Sequence, residues 1–353
     1  MNPQNQPAIS RFNTYDEYLK TPVQFLESYV DDEGLFLTRT ANYWMEEANA
    51  RPVPRMLFDK FWYEGELCIL FADSNLGKSI LAVQIGNSIC NGKPIESFAH
   101  EATRQPVLYC DFELTDKQFE ARYSVDFTNH YRFSDEFYRS ELDPDAEIPK
   151  GIRDFDEYLS ISLERNIVQS GARVIIIDNL TYLRNETEQA KDALPLMKHL
   201  KALKSRYGLS ILALAHTPKR DVRQPIGKND LQGSKMLMNF CDSAFTVGES
   251  QANKSLRYLK QIKQRNTEQV YGGDNVCVCR IVKPYNFLQF EFVGYANEWD
   301  HLKRPKEDQN DQLMEEAVRL RQEGLSLREI GRELNIPHQK VDRLLKAADM
   351  KAR

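Results

Sequence analysis

The sequence predicts an α/β fold: a mostly parallel sheet covered by helices, continued by an antiparallel C-terminal extension and followed by a small all-α domain. Three observations predict it. Short continuous apolar runs alternate with amphipathic helical stretches from Glu66 to Ala215, the pattern of parallel strands buried on both faces. The first of these runs leads through Ala72-Asp-Ser-Asn-Leu-Gly-Lys-Ser79 into a helix, the strand–turn–helix setting of a phosphate-binding loop. From residue 312 the pattern changes to three short helical segments with apolar spacing of their own.

In chain order, Leu67–Phe71 reads as a buried strand and Lys78 to about Cys90 as a helix. Pro106–Asp111 is the second strand, Thr115 to about Tyr123 a helix, and Arg173–Asp178 the third strand. Gln189–Tyr207 is a long helix and Leu209–Ala215 the fourth strand. The aromatic, acid-rich stretch 125–158 breaks this rhythm and reads as a solvated, partly helical insertion on the core. After Asp242 the runs Ala244–Val247, Leu256–Ile262, Val276–Val282 and Phe287–Phe292 have β character, with Pro284-Tyr285-Asn286 as a turn. These divide the chain into an N-terminal segment 1–50, a main domain 51–297, a charged linker 298–311 and a helical domain 312–353. Residues 1 to about 14 read as a disordered tail, and 15–50 as a segment packing on the core or on a neighbouring subunit.

The 353 residues suit one large domain with a small appendage. A formal net charge of −5 argues against a uniformly basic nucleic-acid binder and leaves room for local basic loops. The six cysteines form no CxxC pair and lie mostly in apolar runs, so they read as core residues of a reducing compartment. No stretch approaches the roughly 20 apolar residues of a membrane helix. No membrane partner and a cytoplasmic location are expected.

The loop carries the chemistry. Backbone N–H groups of Ala72, Asp73, Ser74, Asn75, Leu76 and Gly77 with the following helix start suit wrapping a β-phosphate. Lys78 adds positive charge for the β- and γ-phosphates of ATP, and the Ser79 hydroxyl suits Mg²⁺. The usual motif begins with Gly where this chain has Ala72, a residue that resists positive φ. Asp178 ends the run Arg173-Val-Ile-Ile-Ile-Asp178 and suits Mg²⁺ through water, or a helix cap. Glu113, in Tyr109-Cys-Asp-Phe-Glu113, suits activation of an attacking water, with Asp111 as its competitor. His216 follows the fourth strand, where it can sense a γ-phosphate or serve structurally. Lys263 and Arg265 read either as a solvated strand end or as cationic fingers for a neighbour's ATP.

On the stretches ADSNLGKS, YCDFE, VIIIDNLTYL, ILALAHTPKR, DLQGSKMLMNFCDSAFTV and Lys263-Gln-Arg-Asn266, the chain resembles the RecA-like P-loop ATPases over residues 52–295. It looks closest to the RepA-type hexameric plasmid helicases and the DnaB-type replicative helicases. The resemblance implies a RecA-like P-loop NTPase core and a homo-oligomer, a hexamer, with single-stranded DNA in a central pore. The pore loops would be Arg184–Ala190 and Pro218–Leu231, the second offering Lys219, Arg220, Arg223 and Lys228 to DNA phosphates. Ordinary solvated surface is the alternative for both loops.

The C-terminal helices are expected at Gln312–Glu323, Leu327–Leu334 and Gln339–Ala348, with Ser326 and Glu329 as a capping box. They resemble a helix-turn-helix of the resolvase or sigma-factor type. Its third helix would offer Gln339, Lys340 and Arg343 to duplex DNA, or the module would dock a protein. The expected function is an ATP-driven DNA helicase or translocase acting in replication or mobilisation of a plasmid-like element. The alternatives are an ATP-regulated DNA-binding regulator without translocation, and a KaiC-like signalling ATPase.

Overall fold

The computed structural model describes residues 39–180, 193–218, 220–231, 234–302 and 306–351. The described residues divide into a larger unit ending at His301 and a smaller one, formed by Leu302 onward together with Asp221–Pro225.

The larger unit is built on a nine-stranded sheet. After helix α1 (Ala41–Asn49), strands β1 (Met56–Phe58) and β2 (Trp62–Tyr63) form a small hairpin. Strand β3 (Leu67–Ala72) enters the main sheet and is followed by α2 (Lys78–Asn91), β4 (Val107–Asp111) and α3 (Asp116–Arg122). A second small hairpin, β5 (Ser124–Val125) and β6 (Asn129–His130), precedes β7 (Phe137–Ser140). Then come α4 (Phe155–Ser170), β8 (Val174–Asp178), α5 (Ala193–Tyr207), β9 (Ser210–His216) and α6 (Ser234–Phe240). Strands β10 (Ser243–Glu249), β11 (Leu256–Lys263), β12 (Val276–Val282) and β13 (Gln289–Ala296) complete the unit. The strand order is β13-β12-β11-β10-β3-β9-β8-β4-β7. Pairing is parallel from β10 through β7 and antiparallel from β10 out to β13.

The continuous apolar strands follow from this layering, because successive side chains enter opposite faces and both faces are covered. Cys68, Leu70 and Ala72 pack in one core with α2, while Leu67, Ile69 and Phe71 pack in the other with α4 and α5. Ile176 and Ile177 divide in the same way. The predicted strands and helices between Leu67 and Ala215 lie where the periodicity puts them, within a residue or two. Residues 189–192 of the predicted long helix lie outside the described residues.

Two readings change. The stretch 125–158 is more than a solvated, partly helical insertion. It contributes β7, which pairs in parallel with β4 in register Val107↔Phe137 to Cys110↔Ser140. Three of its aromatics cover the core: half-buried Tyr131, Phe133 and Phe137 pack with Phe119, Tyr123 and Phe287 at centroid distances from 4.5 Å for Tyr131–Phe287 upward. Seating these three rings on the core removes apolar area from water. Helix α4, which the sequence reading did not identify, starts within this stretch. Asp154 caps it by accepting the Glu157 N–H at 2.9 Å.

The charged stretch 298–311 is also not wholly a linker. Glu298–His301 forms a 3₁₀ turn whose Glu298 is 1 % exposed. The carboxylate pairs with the buried Lys260 and accepts the Ile226 N–H at 2.8 Å, while Lys260 Nζ donates to the Ile226 carbonyl at 2.7 Å. The charge of Glu298, the first of the acids that mark the stretch as solvated, is neutralised inside the protein. Helix α7 (Lys306–Gln322) then begins earlier than the apolar spacing indicates.

The smaller unit packs α7, α8 (Leu327–Glu333) and α9 (His338–Lys351) around Ala317, Leu320, Ile330 and Val341. Ser326 and Glu329 form the expected reciprocal cap. Gly331 is required where the chain turns into α9, because a Cβ there would lie 2.8 Å from the Ile336 carbonyl oxygen. Among the described residues, no helix is long and apolar enough to cross a membrane.

The Lys260–Glu298 pair gives a stability test. Removing one partner leaves a buried charge uncompensated, at a cost of about 3–5 kcal/mol. Glu298→Ala is therefore expected to lower unfolding stability by about that amount in urea denaturation. A midpoint equal to that of the parent protein would contradict the assignment.

Candidate active site

The phosphate loop leaves the C-terminal end of β3 and enters α2. Ala72 closes the strand without a positive φ; the left-handed positions are Asn75 at φ 63° and Gly77 at φ 93°. The missing first glycine therefore costs no backbone strain here. At Gly77 a side chain is excluded as well, since a Cβ would lie 2.7 Å from Ile281 Cδ1 and 2.9 Å from Phe290 Cε2. Ser74 and Asn75 are exposed at the turn, Leu76 is buried, and Asp73 accepts the Thr217 hydroxyl.

Parallel register gathers the other predicted residues around this loop. Ala72 pairs with His216 across β3 and β9, and Asp111 with Asp178 across β4 and β8. Lys78 Nζ donates to the Ala72 carbonyl at 2.9 Å and the Asp73 carbonyl at 3.1 Å, and lies 3.3 Å from His216 Nδ1. An ammonium only donates, so Nδ1 accepts, and in the neutral ring the proton sits on Nε2. That nitrogen faces Glu113 Oε1 at 3.3 Å. Asn179 donates to the same carboxylate oxygen, with its Nδ2 3.0 Å from His216 Nε2. Lys78, His216, Asn179 and Glu113 are thus one hydrogen-bonded row.

The electrostatics of the row suit an anion. Burial pushes the Lys78 amine below the usual lysine range, against the opposing pull of Asp178, Glu113 and Asp73. The His216 hydrogen bond holds the Glu113 carboxyl below the ordinary range and outweighs its burial, with Lys78 and Arg122 adding smaller contributions. Glu113 is therefore ionised at neutral pH. Asp178 is fully buried, and burial pushes its carboxyl up to about 6 despite the Ser79 and Tyr109 hydroxyls. Tyr109 donates to its Oδ2 at 2.7 Å, while Oδ1 has no hydrogen-bond partner among the described residues.

The Asp178 carboxylate, with one buried oxygen unpartnered and the Ser79 hydroxyl among the groups acting on it, fits a hydrated divalent cation. Among the described residues, no cluster of three or more His, Cys, Asp or Glu side chains could hold a metal by itself. The donor set of Ser79 and Asp178 thus suits Mg²⁺ brought with phosphate oxygens, which keeps several waters of its own.

Other predicted residues lie elsewhere. Lys263 pairs with Ala244 at the start of β10, the edge of the sheet where β3 begins, so neither it nor Arg265 joins this row. Lys263 donates to the Met238 and Cys241 carbonyls at the C-terminal end of α6. Arg265 donates to Asp242 Oδ1 and the Asn239 carbonyl, each at 3.2 Å, and its side chain stays 47 % exposed. Lys219 and the loop Arg184–Ala190 lie outside the described residues. In the second loop Lys228 is exposed, and Arg223 is exposed but clamped on Asp221 at 2.7–3.1 Å. Arg220 departs from the expected solvent-facing row: its side chain is 9 % exposed and turned toward Asp230 at 3.8 Å. Gln339, Lys340 and Arg343 are exposed on α9.

Sequence reasoning missed Asn179, Tyr109 and Arg122. Asn179 had a usable signal, a buried polar residue directly after the strand-ending Asp178. Tyr109 had none, because its partner Asp178 lies 69 positions away, and Arg122 had none because a single basic residue in a helix is ordinary surface.

Asp178 gives a pH-dependent test. Its folded value of about 6 exceeds the ordinary 3.8, so the folded protein holds this proton more tightly than the unfolded chain. Stability therefore falls as pH rises from about 4 to about 6, by about 3 kcal/mol in total. In EDTA, Asp178→Asn is expected to be the more stable protein at pH 7.5, with the two denaturation midpoints converging near pH 4. A gap that does not change with pH would contradict this.

The comparisons agree with this geometry. A family model described as AAA domain matches residues 37–222, a little over half of the chain. The matched span contains the loop, Glu113, Asp178 and His216. No curated protein matches the chain. With the loop, the acidic strand ends and this span in hand, the chain belongs to the AAA domain family, as a P-loop ATPase on a RecA-like core.

Proposed function

We propose that the protein is a cytoplasmic, oligomeric ATP-driven DNA helicase or translocase, acting in replication or mobilisation of a plasmid-like element. The observation that carries this reading is the separation of its two charged groups. Lys78, Glu113, Asp178 and His216 gather at the C-terminal ends of the parallel strands, while Lys263 and Arg265 sit at the opposite edge. A cation there cannot serve the loop of its own chain, but it suits the loop of a neighbour in a ring.

Each residue then has a task. Lys78 exchanges the Ala72 and Asp73 carbonyls for β- and γ-phosphate oxygens. Ser79 and Asp178 hold Mg²⁺, which when bound neutralises charge on the phosphates. Glu113, ionised at neutral pH, orients the attacking water and takes its proton. His216, bonded to both Lys78 and Glu113, links the γ-phosphate site to β9 and to the loop that follows it. Arg265 leaves Asp242 and stabilises charge on the neighbour's phosphoryl group, a contribution worth ~10³–10⁵ in rate. DNA contacts fall to Lys228 and Arg223, with Lys219, and to Gln339, Lys340 and Arg343 of a helix-turn-helix in the smaller unit.

One observation favours a second reading. Arg220 faces Asp230 and Arg223 is clamped on Asp221, so the second loop offers less free positive charge than its composition suggests. That suits an ATP-regulated DNA-binding regulator that does not translocate.

Single-stranded DNA at low salt is expected to stimulate ATP hydrolysis, and the oligomer to displace a paired strand. Turnover indifferent to DNA contradicts the motor, and DNA binding without unwinding selects the regulator. Arg265→Ala is expected to bind ATP normally and to lose hydrolysis. Mixing it with Lys78→Ala subunits should restore part of the activity, since each mutant supplies what its neighbour lacks. Absence of recovery at every mixing ratio contradicts action between subunits.

A further inference from the structure

We propose that Arg139, on β7, is a positioning residue for ATP hydrolysis: through Asp111 it fixes the turn that presents Glu113. The inference rests on the reading of Glu113 as the general base given above.

Glu113 stands on the short turn between β4 and α3, with no regular secondary structure of its own. Two sets of bonds fix that turn. From β8, the Asp178 carbonyl accepts the Phe112 N–H at 2.8 Å and extends the sheet by one residue. From β4 itself, Asp111 Oδ1 accepts the N–H groups of Glu113 at 3.2 Å and Leu114 at 3.0 Å. The carboxylate of Asp111 thus determines where the Glu113 backbone lies.

Asp111 is in turn held by Arg139. Its other oxygen, Oδ2, accepts Arg139 Nε at 2.9 Å, and the Asp111 side chain is completely buried. The same guanidinium donates to the Leu114 carbonyl at 2.9 Å and to Asp116 Oδ1 at 2.8 Å. It also lies 4.7 Å from the centre of the Phe119 ring. One planar fork therefore grips the residue before the turn, a carbonyl within it and the first residue of the helix after it. An ammonium cannot match that set of directions. With both oxygens of Asp111 engaged, the competition between Asp111 and Glu113 for the attacking water resolves. Asp111 is spent on the turn, and Glu113 is left to face His216 and Asn179.

The arrangement also gives the 125–158 stretch a purpose. Its strand pairs with β4 at the outer edge of the sheet, in register Cys110↔Ser140, which brings Arg139 beside Asp111. Misplacing a reacting group by about 1 Å costs about 10²-fold in rate, so the support of the turn acts on the chemical step rather than on nucleotide binding.

The test compares Arg139→Ala, Arg139→Lys, Glu113→Gln and the Arg139→Ala/Glu113→Gln double variant in the full-length protein, with ATP and Mg²⁺. Glu113→Gln is expected to lower kcat by ~10²–10⁴-fold. Arg139→Ala should lower kcat by about 10²-fold with KM changed less than about threefold. Arg139→Lys should fall between it and the parent. The double variant should be no slower than Glu113→Gln alone, because a misplaced base and an absent one cost the same step once. If Arg139→Ala does not fold, Arg139→Lys and its double variant with Glu113→Gln carry the same comparison. Multiplicative losses in the double variant, a rise in KM without loss of kcat, or parental kcat in both Arg139 variants would overturn the proposal. Parental hydrolysis by Glu113→Gln would instead sink the reading of Glu113 itself, and this inference with it.

Discussion

The parallel register of β3, β9, β8 and β4 is the constraint on which the rest depends. Parallel strands start and stop on the same sides of a sheet, so their C-terminal ends form one rim. Ala72 opposite His216 and Asp111 opposite Asp178 put a cation, an imidazole and three carboxylates within reach of one loop. Such a collection is expensive to bury. It is held by internal pairing: Lys78 on two carbonyls and His216, Glu113 on His216 and Asn179, and Asp178 on Tyr109. Asp178 Oδ1 is left buried without a hydrogen-bond partner among the described residues, which suits the proposed cation.

The rim was legible in the sequence because each of its residues punctuates an apolar run. Four branched residues in Val174–Ile177, ending at Asp178, read as a buried strand whose last residue carries a polar side chain. The same logic found Glu113, His216 and the loop. What failed did so for physical reasons. Strand β7 is four residues long and sits at the sheet edge, so Phe137-Tyr-Arg-Ser140 has no continuous apolar signature. Besides Glu141 beside it, the hub at Arg139 joins three residues that lie 23 to 28 positions away in sequence, and no local pattern encodes those bonds. The basic loop misled in the opposite direction. Arg220 and Arg223 are charges by composition, but Asp230 and Asp221 lie close enough to engage them once the loop has folded.

The two edges of the sheet carry different chemistry, and the fold keeps them apart. At the rim stand Lys78, Glu113, Asp178 and His216, the groups proposed above to serve ATP. At the other edge, Asp242 accepts Lys204 at 2.9 Å, the Leu67 N–H at 2.9 Å and Arg265 at 3.2 Å. Burial raises the Asp242 carboxyl, but the Lys204 hydrogen bond and the other donors outweigh it and keep the group ionised. Arg265 is therefore parked on a carboxylate that already has other partners. In the ring proposed above, an arginine held in this way leaves Asp242 without stranding a bare charge.

The most direct measurement is a crystal structure of the protein with magnesium and a non-hydrolysable ATP analogue. The expected result is a triphosphate in the 72–79 turn, with Lys78 Nζ transferred from the Ala72 and Asp73 carbonyls to phosphate oxygens and a water-ligated cation between Ser79 and Asp178. A turn without phosphate at saturating analogue, with Lys78 still bonded to those two carbonyls, would contradict it.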